Sequence, residues 1–120
     1  MFELGQEVVK INSSQLERDI ETGKFLSLDD YIITGVIRKI SVEKKYKDHG
    51  NSDIEEEVSY TIKITSSKDE SEIGYYDHDG EIYLAKSKEE AFEKYMKEEK
   101  KYLDNYNKLL EKISSLKFNS

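Results

Sequence analysis

Residues 58–65 read Val-Ser-Tyr-Thr-Ile-Lys-Ile-Thr, and their alternation decides the fold class. Val58, Tyr60, Ile62 and Ile64 share one parity; Ser59, Thr61, Lys63 and Thr65 share the other. Successive side chains point to opposite faces of a strand, so one face is buried and one is wet, which is the pattern of an antiparallel sheet. Upstream, residues 31–42 (YIITGVIRKISV) are β-branched and aromatic and predict another strand. Its apolar residues fall on both parities, so either both faces are covered or a bulge at Gly35 swaps them. Residues 6–11 (QEVVKI) predict a first strand. Downstream, Ile73–Tyr76 and Glu81–Ala85 flank Asp77-His78-Asp79-Gly80, which predicts a hairpin turning on Asp-Gly. The charged, Gly- and Asn-containing stretch 43–57 predicts a long solvated loop.

Two helices complete the expectation. Ser14 followed by Glu17 matches a capping box, Leu16 and Ile20 share a face, and Gly23 suits the C′ position, giving a short helix over 14–22. Ser87 followed by Glu90 is a second capping box, and no Gly or Pro follows it. One helix over about 88–117 would be about 45 Å long. Phe92, Tyr95, Glu99, Tyr102, Tyr106, Leu109, Ile113 and Leu116 recur at alternating spacings of three and four, with Met96, Leu103 and Leu110 beside them. The fold class is therefore α+β: a small, curved, mainly antiparallel sheet with one short helix and a long C-terminal amphipathic helix. The 120 residues form one domain, a strand-rich body over 1–85 and a helix over 86–117.

Composition narrows the function classes. The chain has no Cys, which excludes a disulfide scaffold, a thiolate metal site and a cysteine nucleophile. The N-terminal sequence lacks the basic and long apolar regions of a signal peptide, and no apolar run reaches membrane-spanning length, so a cytoplasmic location without membrane contact is expected. The net charge of -7 opposes direct nucleic-acid binding. Residues 51–85 hold ten acidic and two basic groups, so the acidity belongs mainly to that segment. A basic partner would complement it; the segment reads either as a solvated face or as a surface that imitates a phosphate backbone in a basic nucleic-acid channel.

The segments FELGQEVVKI and TGVIRKISV, at 2–11 and 34–42, resemble the opening of a small SH3-like barrel, which implies a closed or nearly closed sheet. In its richness in Lys, Glu, Ile and Tyr and its lack of Pro, Cys and Trp, the chain is similar to small phage and mobile-element proteins of AT-rich bacteria. Many of those bind and disable a host defence enzyme, as anti-CRISPR proteins do. That resemblance implies an inhibitor acting in a host cytoplasm and assigns no role to any residue.

No catalytic motif stands out. There is no G-x-S-x-G elbow, H-E-x-x-H or phosphate-binding loop, and the two histidines, His49 and His78, have no nucleophile at a diagnostic spacing. Asp77, His78, Asp79 and Glu81 offer ligands for a hard cation, but a calcium loop needs further ligands that are missing, and Asp-Gly is turn chemistry. No enzyme, metal or cofactor is expected. Arg38, Lys39, Lys44, Lys45, Tyr46 and Lys47 form a small basic patch that contacts a nucleic acid or an acidic partner, faces solvent, or answers the acidic segment. The candidate partner-binding residues are Tyr102, Tyr106, Leu109, Leu110, Ile113 and Leu116 on the helix and Glu55, Glu56, Glu57, Asp69, Glu70 and Glu72 on the acidic segment. The expected function is non-catalytic binding of a protein with a basic or nucleic-acid-binding surface, inhibiting or regulating it. The alternative is a homodimer assembled through the C-terminal helix.

Overall fold

The structure, a computed structural model, describes residues 1–46, 54–99 and 107–118, with the backbone alone for 107–110. The chain is α+β. β1 (Glu7–Ile11) leads into α1 (Ser13–Glu21), and a 3₁₀ turn at Leu28–Tyr31 leads into β2 (Ile32–Tyr46). β3 (Ile54–Ser66) and β4 (Tyr76–Gly80) follow, then α2 (Lys88–Glu99) and α3 (Asn107–Ser114). The four strands form one antiparallel sheet in the order β1-β2-β3-β4.

Local chemistry sets the ends of α1. Asn12, not Ser14, is the N-cap; its side chain accepts from the Gln15 amide. Gly23 takes the expected C′ position with φ 73°. The Lys24 amide donates to Asp19 at 2.8 Å and the Gly23 amide to Ile20 at 3.4 Å, the paired bonds of a Schellman motif. For α2, the Ser87 hydroxyl accepts from the Glu90 amide at 3.2 Å, so that cap lies where the sequence placed it.

The double parity of β2 has two causes: Ile32 and Val36 are half-buried on the face opposite Ile33 and Ile37, and a bulge swaps the faces beyond them. Ile33, Gly35 and Ile37 are buried on one parity. Ile37 then pairs with Ile62 and Lys39 with Thr61, leaving Arg38 as an extra residue. That bulge turns Ile40, and Val42 after it, onto the core face. The register also shifts beside Gly35, but the faces swap at Arg38. Gly35 has a different role: a Cβ there would lie 2.9 Å from the Lys63 carbonyl oxygen, so β3 passes too close for any side chain.

Three expectations are corrected. First, much of 43–57 is strand: Glu43 pairs with Glu57, Lys44 with Glu56, Lys45 with Glu55 and Tyr46 with Ile54. Two of these four rows set Lys against Glu, and cross-strand pairs of that kind support a ladder that single-residue propensity argues against. Residues 47–53 lie outside the described residues. Second, Asp77–Gly80 belongs to β4 and not to a turn. Asp77 and Asp79 point to one side and hold Lys10 of β1 at 2.8 and 3.0 Å. The chain reverses instead at a 3₁₀ turn, Glu81–Tyr83. Ala85 then pairs with Val9 through bonds of 2.8 and 2.9 Å. Third, the C-terminal segment is not one straight helix. Continued from 92 to 118, such a helix would set those residues about 39 Å apart, whereas the Phe92 and Phe118 rings lie 5.9 Å apart, edge to face. The described residues of this segment hold two helices, α2 and α3, and α3 returns onto α1.

These contacts bring the first and last strands toward each other, so the sheet is strongly curled. Phe2, Val8, Ile37, Tyr60, Ile62 and Leu84 fill the curl. Leu16, Leu28, Tyr31, Tyr95 and Ile113 form a second cluster, joining the helices to the sheet. A compact chain of this length would have a radius of gyration of about 14 Å; the observed value is 16.2 Å, with extents of 49 × 36 × 24 Å. The excess has a source in β2, whose residues span about 50 Å at 3.3 Å each. β1 pairs β2 only up to Val36 and β4 pairs β3 only from Ser59. The remainder of the two long strands projects as a two-stranded arm.

Candidate functional site

The arm brings together residues that the sequence kept apart. Directly opposed residues share a face in an antiparallel pair. One face therefore carries the rows Val42/Val58, Lys44/Glu56 and Tyr46/Ile54, continuing the core face outward. Val42, Tyr46 and Ile54 are 51%, 69% and 63% exposed. The opposite face carries Glu43/Glu57 and Lys45/Glu55. Lys45 reaches Glu57 at 3.4 Å, which relieves the Glu43/Glu57 like-charge row and raises the Lys45 pKa.

Glu55, Glu56 and Glu57 are exposed, but the pleat sends Glu56 to one face and its neighbours to the other. Two residues of the basic patch are interleaved with them, Lys44 opposite Glu56 and Lys45 opposite Glu55, whereas Lys39 faces Thr61 and Arg38 is the bulge residue. Charges on the uncovered edges of a ribbon also discourage edge-to-edge pairing between molecules. Asp69, Glu70 and Glu72 lie just beyond the other end of β3, which is about 33 Å from Glu56 at 3.3 Å per residue. Two of those three serve local structure: Asp69 accepts from the Ser71 amide and hydroxyl at 3.1 and 2.6 Å, and Glu72 accepts from the Ser67 hydroxyl at 3.1 Å. The acidic segment is thus contiguous in sequence but not on the surface.

The helical candidates divide differently. Tyr102 and Tyr106 lie outside the described residues, and Leu109 and Leu110 are described by backbone alone. Ile113 is 1% exposed, enclosed by the chain's own second cluster, and Leu116 packs against the same cluster. Glu99, the charged member of the apolar stripe, meets Glu17 of α1. Burial raises its carboxyl pKa, and the charge and hydrogen bond of Glu17 raise it further. The Tyr95 hydroxyl donates to Glu17 at 3.2 Å. Glu17 entered the sequence reading only as part of a cap; nothing local identifies it as the partner of a residue 82 positions away.

A second exposed apolar group lies around β4: Ile73, Tyr75, Tyr76, Ile82 and Tyr83. The sequence reading assigned these to hairpin strands and so did not weigh them as surface. Between α1 and the β3–β4 connection run a polar groove of about 540 Å³ and a smaller one of about 260 Å³. Their charged groups are already engaged. The Tyr31 hydroxyl donates to Asp19 at 2.6 Å and holds its carboxyl below the usual range, and Lys68 binds Asp30 at 2.8 Å. Burial works against the Lys10 ammonium, but its bonds to Asp77 and Asp79 outweigh that and leave its pKa raised. His78 is exposed, with Nδ1 3.0 Å from the Thr61 hydroxyl, and His49 lies outside the described residues. Among the described residues, no group of three or more His, Asp or Glu is placed to hold a metal, and no helix is long and apolar enough to cross a membrane.

No protein-family model, curated protein or solved structure matches the chain.

Proposed function

We propose that the chain is a non-catalytic protein-binding module that engages a protein with a basic, nucleic-acid-handling surface and inhibits or regulates it. The observation that carries this reading is the arm: Val42, Tyr46 and Ile54 expose apolar and aromatic side chains on a projecting ribbon rimmed by carboxylates. A two-stranded ribbon is marginal in water by itself, and aromatic side chains are enriched at the centres of protein interfaces. Carboxylates on the rim attract Lys and Arg and speed encounter. Because the acidic groups separate into two places about 33 Å apart along the strand, the reading rests on apolar anchoring with charge steering. A continuous imitation of a phosphate backbone is not part of it. The similarity in composition to small phage inhibitors agrees with inhibition as the outcome.

The finer fold reading is a small SH3-like barrel. It is supported by a 3₁₀ turn after the fourth strand and by the pairing of Ala85 with the first strand. A homodimer through the C-terminal helix loses support, because Ile113 and Leu116 are used within the chain.

The test is affinity capture from a nuclease-treated lysate of the source cell, comparing the native chain with a Tyr46→Ser/Ile54→Ser variant of unchanged circular dichroism. A stoichiometric protein retained by the first and lost by the second supports the reading. Identical retention by both removes the arm from it.

A further inference from the structure

β4 is the last strand of the sheet, and the direction of its main-chain groups follows from the bonds at its start. The Ile64 amide donates to the Tyr75 carbonyl at 3.0 Å, and the Gly74 amide donates to the Ile64 carbonyl at 2.8 Å. Antiparallel ladders alternate hydrogen-bonded and non-hydrogen-bonded rows. With Ile64 in a bonded row, the rows Ile62/Asp77 and Tyr60/Asp79 are bonded as well. The N–H and C=O groups of Tyr76, His78 and Gly80 therefore point away from β3. Among the described residues, those of Tyr76 and His78 make no main-chain hydrogen bond outside the ladder; Gly80 is the N-cap of the 3₁₀ turn and gives its carbonyl to it, which leaves only its amide.

Two further observations bear on what this edge accepts. Tyr75 and Tyr76 at its start, and Ile82 and Tyr83 just past its end, are exposed, so apolar area lies at both ends of the unpaired row. The sequence from Asp69 to Ala85 contains six carboxylates and no Lys or Arg. Lys10 and the N-terminal ammonium answer three of them, Asp77, Asp79 and Glu81, from the body. An acidic excess remains.

We propose that the outer edge of β4 takes an extended segment of a partner protein as an added strand, and that this segment alternates Lys or Arg with apolar residues. Main-chain bonds from Tyr76 and His78, with the Gly80 amide, supply the attachment; the exposed tyrosines and the carboxylates select the side chains. A second copy is a poor occupant, because pairing two such edges would bring like charges together. The proposal rests on the protein-binding reading and adds a mode and a chemical class to it.

The probes are synthetic octapeptides: one alternating Lys and Val, the same peptide with every second amide N-methylated, and one alternating Glu and Val. Each is titrated into the isotope-labelled full chain while its amide resonances are followed. The expected result is saturable shifts centred on Tyr76, His78 and Gly80 with the Lys peptide, and at least tenfold weaker binding of the other two. Equal affinity of the N-methylated peptide would mean charge attraction alone and would overturn the proposal. So would silence at β4 at millimolar peptide, or a dimer of the chain formed through this edge. If capture depends on Tyr46 and Ile54 while β4 stays silent, the added strand is wrong and the protein-binding reading stands; if both are negative, both fall.

Discussion

Replacing Ile113 by alanine separates two accounts of the C-terminal stripe. As a partner anchor, Ile113 would face solvent in the free chain, and its truncation would leave stability within about 0.5 kcal/mol of the native value. In the structure it is 1% exposed and packs with Leu16, Leu28, Tyr31 and Tyr95. Truncation removes three buried carbons, worth about 2.4 kcal/mol at 0.8 kcal/mol each. The cavity left among these neighbours raises the loss to about 3–4 kcal/mol, within the range for such substitutions. For a chain of this length the entropy of unfolding is about 0.25 kcal/mol per degree, so Tm falls by about 12–16 °C. Differential scanning calorimetry of the purified chain reads this directly, and urea titration should give a lower midpoint at unchanged slope. A fall in Tm below about 2 °C would refute the return of α3 onto the body and restore Ile113 as a candidate surface anchor.

Other substitutions test the sheet and the carboxyl pair. Gly35→Ala should cost about 1–3 kcal/mol, because the added Cβ meets a backbone oxygen that cannot give way; Gly80→Ala, with nothing within 4 Å, should be close to neutral in the same urea titration. Lys10→Met leaves Asp77 and Asp79 facing each other without a cation and should cost about 1–3 kcal/mol after allowance for their partial exposure; adding Asp77→Asn and Asp79→Asn should recover at least half of it. Glu99 binds its proton more tightly in the folded chain, so its contribution to stability is fully present below its ordinary value of 4.5 and is lost as pH rises through the raised folded value. Glu99→Gln should therefore raise Tm at pH 7 by about 1–2 °C, the size of a like-charge pair, and leave it unchanged at pH 4. An equal change at both pH values would remove the carboxyl pair from the explanation.

How much of this was legible depended on the range of the interaction. The strand at 58–65, the Gly23 terminus of α1 and the Ser87 cap of α2 are set by neighbours within a few residues, and the sequence showed them. The arm was hidden because Glu and Lys are individually depleted in strands; only the register across two strands pairs Lys44 with Glu56 and Lys45 with Glu55. Asp77–Gly80 has the local chemistry of a turn, and the Lys10 ammonium that draws it into a strand lies 67 residues earlier. The C-terminal stripe lacked Gly or Pro to mark a reversal, so its period could not distinguish one long helix from two that pack together. The candidate surfaces followed the same division: Glu55–Glu57 were placed correctly as exposed groups, but their division between two faces follows from the pleat.

The central claim is that binding of this chain inhibits or regulates a protein that handles nucleic acid. The most direct measurement is the turnover of the captured partner on its nucleic-acid substrate, with and without stoichiometric chain, in parallel with displacement of a labelled oligonucleotide. The account predicts that the native chain alters turnover and competes with the oligonucleotide, and that Tyr46→Ser/Ile54→Ser does neither. A partner that binds the chain and its oligonucleotide together at unchanged turnover, or one that handles no nucleic acid, would contradict it.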